Sequence, residues 1–338
     1  MRVTTTILLL SILLLSTQCF AQWTGPSEGR GFLYRPPVYV NNEPDFPLTG
    51  LGVLMPKPDE IVPDIDVSSQ RGDHFNVNGN NVQPGLDVEL NWIRVGALRG
   101  FKGGWAAGLS IPWYRNLIKG TIGGLPANGV TEGFGNIALA AKKILWEDCK
   151  TNRRLILGAG VELPSGVSEQ HFGPDNIVTS GYFHSPPRRI PFGWQPSTGT
   201  FNGLLALSYG RSWERVSWQT LLAGKLYGTD DEDVKVGNVF IASFNGTYGI
   251  SRDLAGSLGF TLRSQVNDSY PDSPLPVNGP ELQGTTNHST IVYLDLAVRY
   301  TVLTRVTVGV GVRTPIMHPD AGMDPSGTVS VIFYPNSN

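Results

Sequence analysis

The residues best equipped for metal binding or base catalysis are the five histidines, His74, His171, His184, His288 and His318. No short His-x-His or Cys-His spacing brings two of them together, and each falls in a stretch expected to be a long loop, where polar loop chemistry is the expected role. A lipid-active enzyme would need a Ser nucleophile and a His base on one side of a strand. His184-Ser185 and His288-Ser289 are adjacent, which on extended backbone turns the two side chains to opposite faces. No Gly-x-Ser-x-Gly elbow occurs either. The run Asp230-Asp231-Glu232-Asp233 lacks the spaced ligands and the glycine of a calcium loop, so it is expected to be a solvated segment. Cys149 lies in the turn-like Glu147-Asp148-Cys149-Lys150, and with Cys19 removed in a leader no intrachain disulfide can form. These residues point to no catalytic centre, no cofactor and no metal.

A second set of ionisable residues recurs at alternate positions: Asp87, Glu89, Lys142, Arg154, Glu162, Lys225, Arg263, Asp295, Arg299 and Arg313. Each belongs to the polar face of a period-two segment whose other face is apolar. Asp87, Glu89 and Asn91 oppose Leu86, Val88, Leu90 and Trp92; Arg154 and Glu162 oppose Leu155, Leu157, Val161 and Leu163. Arg263 opposes Leu258, Phe260 and Leu262, Asp295 and Arg299 oppose Val292, Leu294, Leu296 and Val298, and Arg313 opposes Val306, Val308, Val310 and Val312. If the apolar face meets lipid, these charges line a lumen, since Arg or Lys facing lipid at the bilayer midplane costs about 2 to 4 kcal/mol. Lys143 breaks the parity and is expected near a rim, where it can snorkel.

Such a set needs strands to hold it. Eleven alternating segments run from residue 84 to the end, at about 84–97, 102–113, 134–146, 153–163, 200–210, 215–227, 238–250, 254–266, 289–301, 305–314 and 327–334. Single-chain bacterial barrels usually have an even strand number, so one more is expected near Ile61 to Asn78. The expected fold is an all-β, antiparallel up-and-down transmembrane β-barrel of about twelve strands with both termini on one side. A soluble sandwich also alternates. The connections favour the barrel: short ones near 99–102, 148–152, 211–214, 251–253 and 303–304 interleave with long ones near 114–132, 164–199, 228–236, 267–288 and 315–326. Trp92, Trp105, Tyr209, Tyr248, Tyr300 and Phe333 share the apolar-face parity close to the short turns or the chain end, and are expected to form a membrane-interface girdle.

Composition agrees. Charged residues are 16% of the chain against about 25% in soluble domains, and the 41 Gly and 25 Pro suit many turns. The net charge of −2 offers no basic field for nucleic acid. Met1-Arg2, the apolar run Ile7 to Leu15 and Cys19-Phe20-Ala21 read as a cleavable signal peptide over residues 1–21, and the run is too short to span a bilayer. Acylation at Cys19 is less favoured, because Gln18 is not the small residue expected before it. Residues 22–60 are broken by Pro26, Pro36, Pro37, Pro44, Pro47, Pro56 and Pro58, and are expected to be either a periplasmic tail or a plug in which Phe32 to Val40 folds into the lumen. Residues 61–338 are expected to be the barrel.

Gly133-Phe134-Gly135-Asn136-Ile137 opens one strand, Leu163-Pro164-Ser165-Gly166 closes the next, and Ser197-Thr198-Gly199 precedes a third. Over roughly residues 84–334 this arrangement resembles the outer-membrane transporter-like family labelled "putative MetA pathway of phenol degradation". Asn136 stands where that family often has Asp, and the last strand runs on into Tyr334-Pro335-Asn336-Ser337-Asn338 instead of ending on an aromatic. The resemblance implies passage of aromatic or other hydrophobic compounds. The expectation is therefore a monomeric channel in the bacterial outer membrane, passing small hydrophobic solutes without a cofactor and placed by the barrel assembly machinery. A non-conducting structural or adhesive surface barrel, acting through the loops 164–199 and 267–288, is the alternative, and a lipid-active enzyme is disfavoured.

Overall fold

The computed structural model describes residues 55–72, 75–77, 80–82, 86–122, 125–126, 128–148, 150–168, 196–213, 215–229, 236–251, 253–266, 289–302, 306–317 and 326–333. Among them are twelve long strands: β1 (Ile61–Gly72), β2 (Leu86–Phe101), β3 (Trp105–Ile122), β4 (Ile137–Asp148), β5 (Arg153–Leu163), β6 (Asn202–Ser212), β7 (Val216–Tyr227), β8 (Val239–Gly249), β9 (Leu254–Gln265), β10 (Ser289–Val302), β11 (Val306–Met317) and β12 (Ser326–Phe333). Every strand pairs antiparallel with the next in sequence, and β12 pairs with β1 through Asp64↔Ile332 to Ser69↔Gly327. The sheet therefore closes and leaves no long edge unpaired, the one arrangement in which strands satisfy all their backbone groups in lipid. The expected first strand near Ile61 is present and completes the twelve.

Alternation of side chains does the rest. Along β8 every second residue from Val239 to Gly249 is buried while Phe240, Phe244 and Tyr248 are exposed. Outward-facing Ile93, Val95, Leu109, Leu205, Leu258, Leu296, Val310 and Val329 are likewise exposed, so the apolar surface forms a belt around the outside. A soluble domain rarely exposes so much contiguous apolar surface. The buried positions face the lumen, and many are polar or charged.

Two strands overshoot the belt. β2 has 16 residues and β3 has 18, where about 9 to 11 tilted residues suffice to cross a bilayer. The segment expected as a loop from residue 114 continues as strand to Ile122, and Gly129–Phe134 pairs back onto Trp113–Ile118. On the overhang the polar face turns outward. Asp87 and Glu89 point away from the lumen, and Asp87 pairs with Arg71 at 2.6 Å on the outer surface. Trp92 is buried on the lumen side at 4% exposure, in register with Ser68 of β1. The expected lumen placement of Asp87 and Glu89 and the expected interface placement of Trp92 are thus both reversed. Parity read from polarity assumes that the whole strand lies in lipid, and these residues lie where the strand has left the apolar belt, so water can solvate the outer face.

Two irregularities shape the wall. Pro112 in β3 has no N–H to donate, and pairing with β4 stops at Ser110↔Ala138, resuming at Trp113↔Phe134. Gly135 and Asn136 bulge out between, with the Gly135 N–H donating to the Pro112 carbonyl at 2.9 Å. A second bulge in β4 between Ile144 and Trp146 shifts the register against β5.

Before β1 the chain crosses the lumen side of β2. Pro58 bridges to Gly100, Asp59 N–H donates to the Gly100 carbonyl and Gly100 N–H to the Glu60 carbonyl, each at 2.9 Å. Met55 sits in a buried cluster with Leu98, Ala106, Ile144 and Ile156 at the short-turn end of the lumen. The segment Phe32 to Val40 lies outside the described residues.

Candidate lumen site

The lumen chemistry is built strand by strand from inward positions, and it falls into groups. On β1 and β2, Arg94 lies between two carboxylates: its Nη2 donates to Asp64 Oδ2 at 3.0 Å and also to Asp66. Arg94 is 1% exposed, so the guanidinium is held by these partners and not by water. On β9 to β11 Arg313 Nε donates to Asp295 Oδ1 at 2.6 Å, Thr261 Oγ1 donates to Asp295 Oδ2 at 2.6 Å, and the Arg313 guanidinium lies 5.1 Å from the Tyr293 ring centre. Arg299 of β10 is buried in the lumen, and Arg263 of β9 is half-buried and donates to Gln265 Oε1 at 2.9 Å. Toward the short-turn rim Arg154 Nη2 donates to Glu147 Oε1 at 2.6 Å. Lys142 is buried on the same wall.

Toward the long-loop rim, Lys225 Nζ lies 2.8 Å from Glu162 Oε2, which also accepts from Asn202 Nδ2 at 2.9 Å. This pair adjoins a node where three separate stretches of the chain meet. Asn136 Nδ2 donates to Thr198 Oγ1 at 3.2 Å, Ser197 Oγ donates to Asn136 Oδ1, and Ser165 Oγ accepts from Ile137 N–H at 2.9 Å. Glycine is required in two of those stretches. A Cβ at Gly135 would lie 2.7 Å from the Pro196 carbonyl oxygen, and one at Gly166 would lie 2.4 Å from that of Phe134. The Gly133–Ile137, Leu163–Gly166 and Ser197–Gly199 motifs, far apart in sequence, are therefore one structural knot that ties the bulged seam beside Pro112 to the start of β6.

Of the residues expected to line the lumen, Lys142, Arg154, Glu162, Lys225, Arg263, Asp295, Arg299 and Arg313 lie on the lumen side, and Asp87 and Glu89 do not. Asp64, Asp66, Arg94 and Glu147 also lie there and are absent from the expected set. Arg94 had a visible signal, because it shares parity with Trp92 and so sits on the face read as apolar. Glu147 had none, since the bulge after Ile144 reverses its side. Among the aromatics, Trp105, Tyr248, Tyr300 and Phe333 are exposed on the outside, and Tyr209 is half-buried there with its ring 5.3 Å from that of Trp218. Phe101, Trp146 and Trp213 join the outward set near the short turns. Lys143 reaches the Gly103 carbonyl and lies 5.3 Å from the Trp105 ring centre, at the short-turn rim where snorkelling was expected.

The five histidines, Cys149 and the acidic run Asp230–Asp233 lie outside the described residues. Among the described residues no group of three or more His, Cys, Asp or Glu is arranged to hold a metal ion.

No protein-family model and no curated protein matches the chain. Among solved structures, the chain is similar to the COG4313 outer membrane channel from Pseudomonas putida F1, with a TM-score of 0.63 at 10% identity, over 83% of this chain and 97% of that one. That likeness shows a shared barrel fold. The NanC porin (TM-score 0.45, 11% identity, 80% of this chain and 98% of that one) and the KdgM porin (0.42, 11%, 81% and 99%) are weaker matches that carry no argument.

Proposed function

We propose that this chain is a bacterial outer-membrane channel for the passive passage of small hydrophobic or aromatic solutes. The observation that carries the reading is the inversion of a soluble protein: an apolar belt outside a closed barrel, and a polar, charged interior within it. The fold shared with an outer membrane channel supports it. The aromatic class of solute rests on the resemblance of the Gly133–Ile137, Leu163–Gly166 and Ser197–Gly199 motifs. In this reading residues 1–21 direct export and are removed, the barrel acts as a monomer in outer-membrane lipid, the barrel assembly machinery inserts it, and the long loops gate access from outside.

The inward charges set the field that a permeating ion meets, with cations in excess over anions on the lumen face among the described residues. The test is single-channel recording of the purified, refolded protein, with small aromatic acids and neutral aromatics added as blockers. Discrete openings that these solutes block are expected, and neutralising Arg263 and Arg299 should shift the reversal potential toward cation preference. A folded barrel without conductance would overturn the channel reading.

The strap from Met55 to Glu60 favours one specific form of the alternative, in which the lumen is closed from the short-turn side. A twelve-stranded barrel lies between eight-stranded barrels filled by their own side chains and open sixteen-stranded porins, so a length of backbone inside its mouth occupies much of the section.

A further inference from the structure

The charges are not spread evenly around the lumen. The inward face of β6, β7 and β8 carries one charged side chain, Lys225, and that is ion-paired with Glu162 toward the long-loop rim. Nearer the short turns the same face turns neutral and polar. Ser208, Leu221 and Ser243 stand side by side across the three strands, and Gln219 lies one inward step away between Gly210 and Asn245. Ser208 Oγ, Ser243 Oγ, Thr247 Oγ1 and both amide atoms of Gln219 are buried without a hydrogen-bond partner in the protein. From Leu221 in this row toward the long loops the face becomes apolar through Leu204, Ala206, Ala223 and Ile241, all buried with Leu221 in one cluster.

Buried polar atoms are nearly always partnered, by protein or by water, so this row of hydroxyls and an amide that the protein does not itself partner offers hydrogen bonds to water or to a guest. An ion would want an opposite charge there, and the row has none. A purely apolar solute would leave Gln219 and the hydroxyls unpaired. Water alone would meet the hydroxyls and the amide, but it would gain nothing from the contiguous apolar cluster.

We propose that the inward face of β6–β8 is a subsite for an uncharged molecule with a hydroxyl on an apolar body, the hydroxyl meeting Ser208, Gln219 and Ser243 and the body lying against Leu221, Ala223 and Ile241. This subsite rests on the channel reading. It differs from the charged inward faces of the other strands, which act on ions.

The experiment uses the refolded full chain and benzyl alcohol, with toluene and benzoate as comparisons. Block of the ion current is measured for the wild type and for Ser208→Ala/Gln219→Leu/Ser243→Ala. Each hydrogen bond is worth roughly 2- to 12-fold in affinity, so the triple variant should weaken block by benzyl alcohol about tenfold or more while its block by toluene is unchanged. Binding is followed in parallel by fluorine NMR line broadening of 4-fluorobenzyl alcohol, which needs no conductance. A single variant, Gln219→Leu, is close in volume and guards against loss of folding in the triple. Conductance with equal alcohol block in wild type and variants would overturn the subsite alone. Absent conductance with variant-sensitive NMR binding would overturn the channel reading and leave the subsite standing. Benzoate blocking better than benzyl alcohol and indifferent to the substitutions would also overturn it, because the lumen would then select by charge.

Discussion

Replacing Gly100 with alanine tests whether the strap before β1 closes the short-turn mouth. A Cβ built on Gly100 lies 2.1 Å from the Lys57 carbonyl oxygen and 2.5 Å from that of Pro56. Both contacts are with backbone, which cannot swing aside as a side chain would, so the strap must leave the wall. Leaving it breaks the two hydrogen bonds that join Asp59 and Glu60 to Gly100, each worth about 1 kcal/mol net. It also withdraws Met55, which is 8% exposed among Leu98, Ala106, Ile144 and Ile156, at about 2 kcal/mol for a buried side chain of that size. The docked state should therefore weaken by about 4 kcal/mol, a shift of roughly three decades in the docking equilibrium. The barrel itself should hold, because Gly100 pairs with Ala106 across a hairpin that accepts alanine. Two assays read the result: cleavage by a glutamate-specific protease after Glu60, expected to be faster in Gly100→Ala, and single-channel conductance, expected to be larger. Faster cleavage with unchanged conductance would refute the reasoning, since the strap would then be displaced without having closed anything.

Three further outcomes follow from the same geometry. Arg94→Met removes the guanidinium that Asp64 and Asp66 share, and should lower unfolding stability by about 3 to 5 kcal/mol in urea titrations; a cost below 1 kcal/mol would mean that water reaches the pair. The Arg71–Asp87 pair is exposed on the outer face, so Arg71→Ala/Asp87→Ala should cost no more than about 1 kcal/mol and leave the reversal potential unchanged, whereas a selectivity change would return Asp87 to the lumen. Asn136→Ala removes the centre of the three-way knot and should destabilise by about 1 to 3 kcal/mol, while Asn136→Asp should be nearly neutral because the Thr198 hydroxyl can reverse and donate. Equal losses for the two substitutions would show that charge at this position matters more than the hydrogen bonds.

The inward charges on β4 to β11 were legible in the sequence because those strands have 11 to 14 residues, close to the length that crosses a bilayer, so polarity and side agree along them. On β2 the agreement fails. There the longest run of alternating charge, Asp87-Val88-Glu89, lies on the overhang, and the one inward cation, Arg94, stands among residues read as lipid-facing. A bulge leaves no mark in polarity, which is why Trp146 is outside and Glu147 inside against the simple count. The three glycine-containing motifs were visible as local strand signals. Their meeting at Asn136 depends on the pairing of β3 with two successive segments, a long-range fact no window of sequence holds. Met55 was invisible for another reason: its segment is rich in proline, and its contacts are made to a wall rather than to a ladder.

What the interior ion pairs are for can be separated from what holds the barrel together. The wall closes through backbone hydrogen bonds on every strand, so the fold does not need Asp295 and Arg313 to seal it. Desolvating such a pair often costs as much as the attraction returns, and well-packed apolar residues of similar size are often as stable or more so. Thr261 and Tyr293 around the pair supply further contacts that an apolar replacement would partly keep. The double substitution Asp295→Leu/Arg313→Met should thus leave stability within about 1 kcal/mol or raise it, whereas Arg313→Met alone, leaving a buried carboxylate unpaired, should cost about 3 to 5 kcal/mol. If the pair is kept for its field, the double variant folds and its current–voltage relation changes even though the net lumen charge does not, because a local dipole beside the permeation path has been erased. A folded double variant with an unaltered relation would mean that ions do not pass that wall, and the charged interior would then be packing rather than filter.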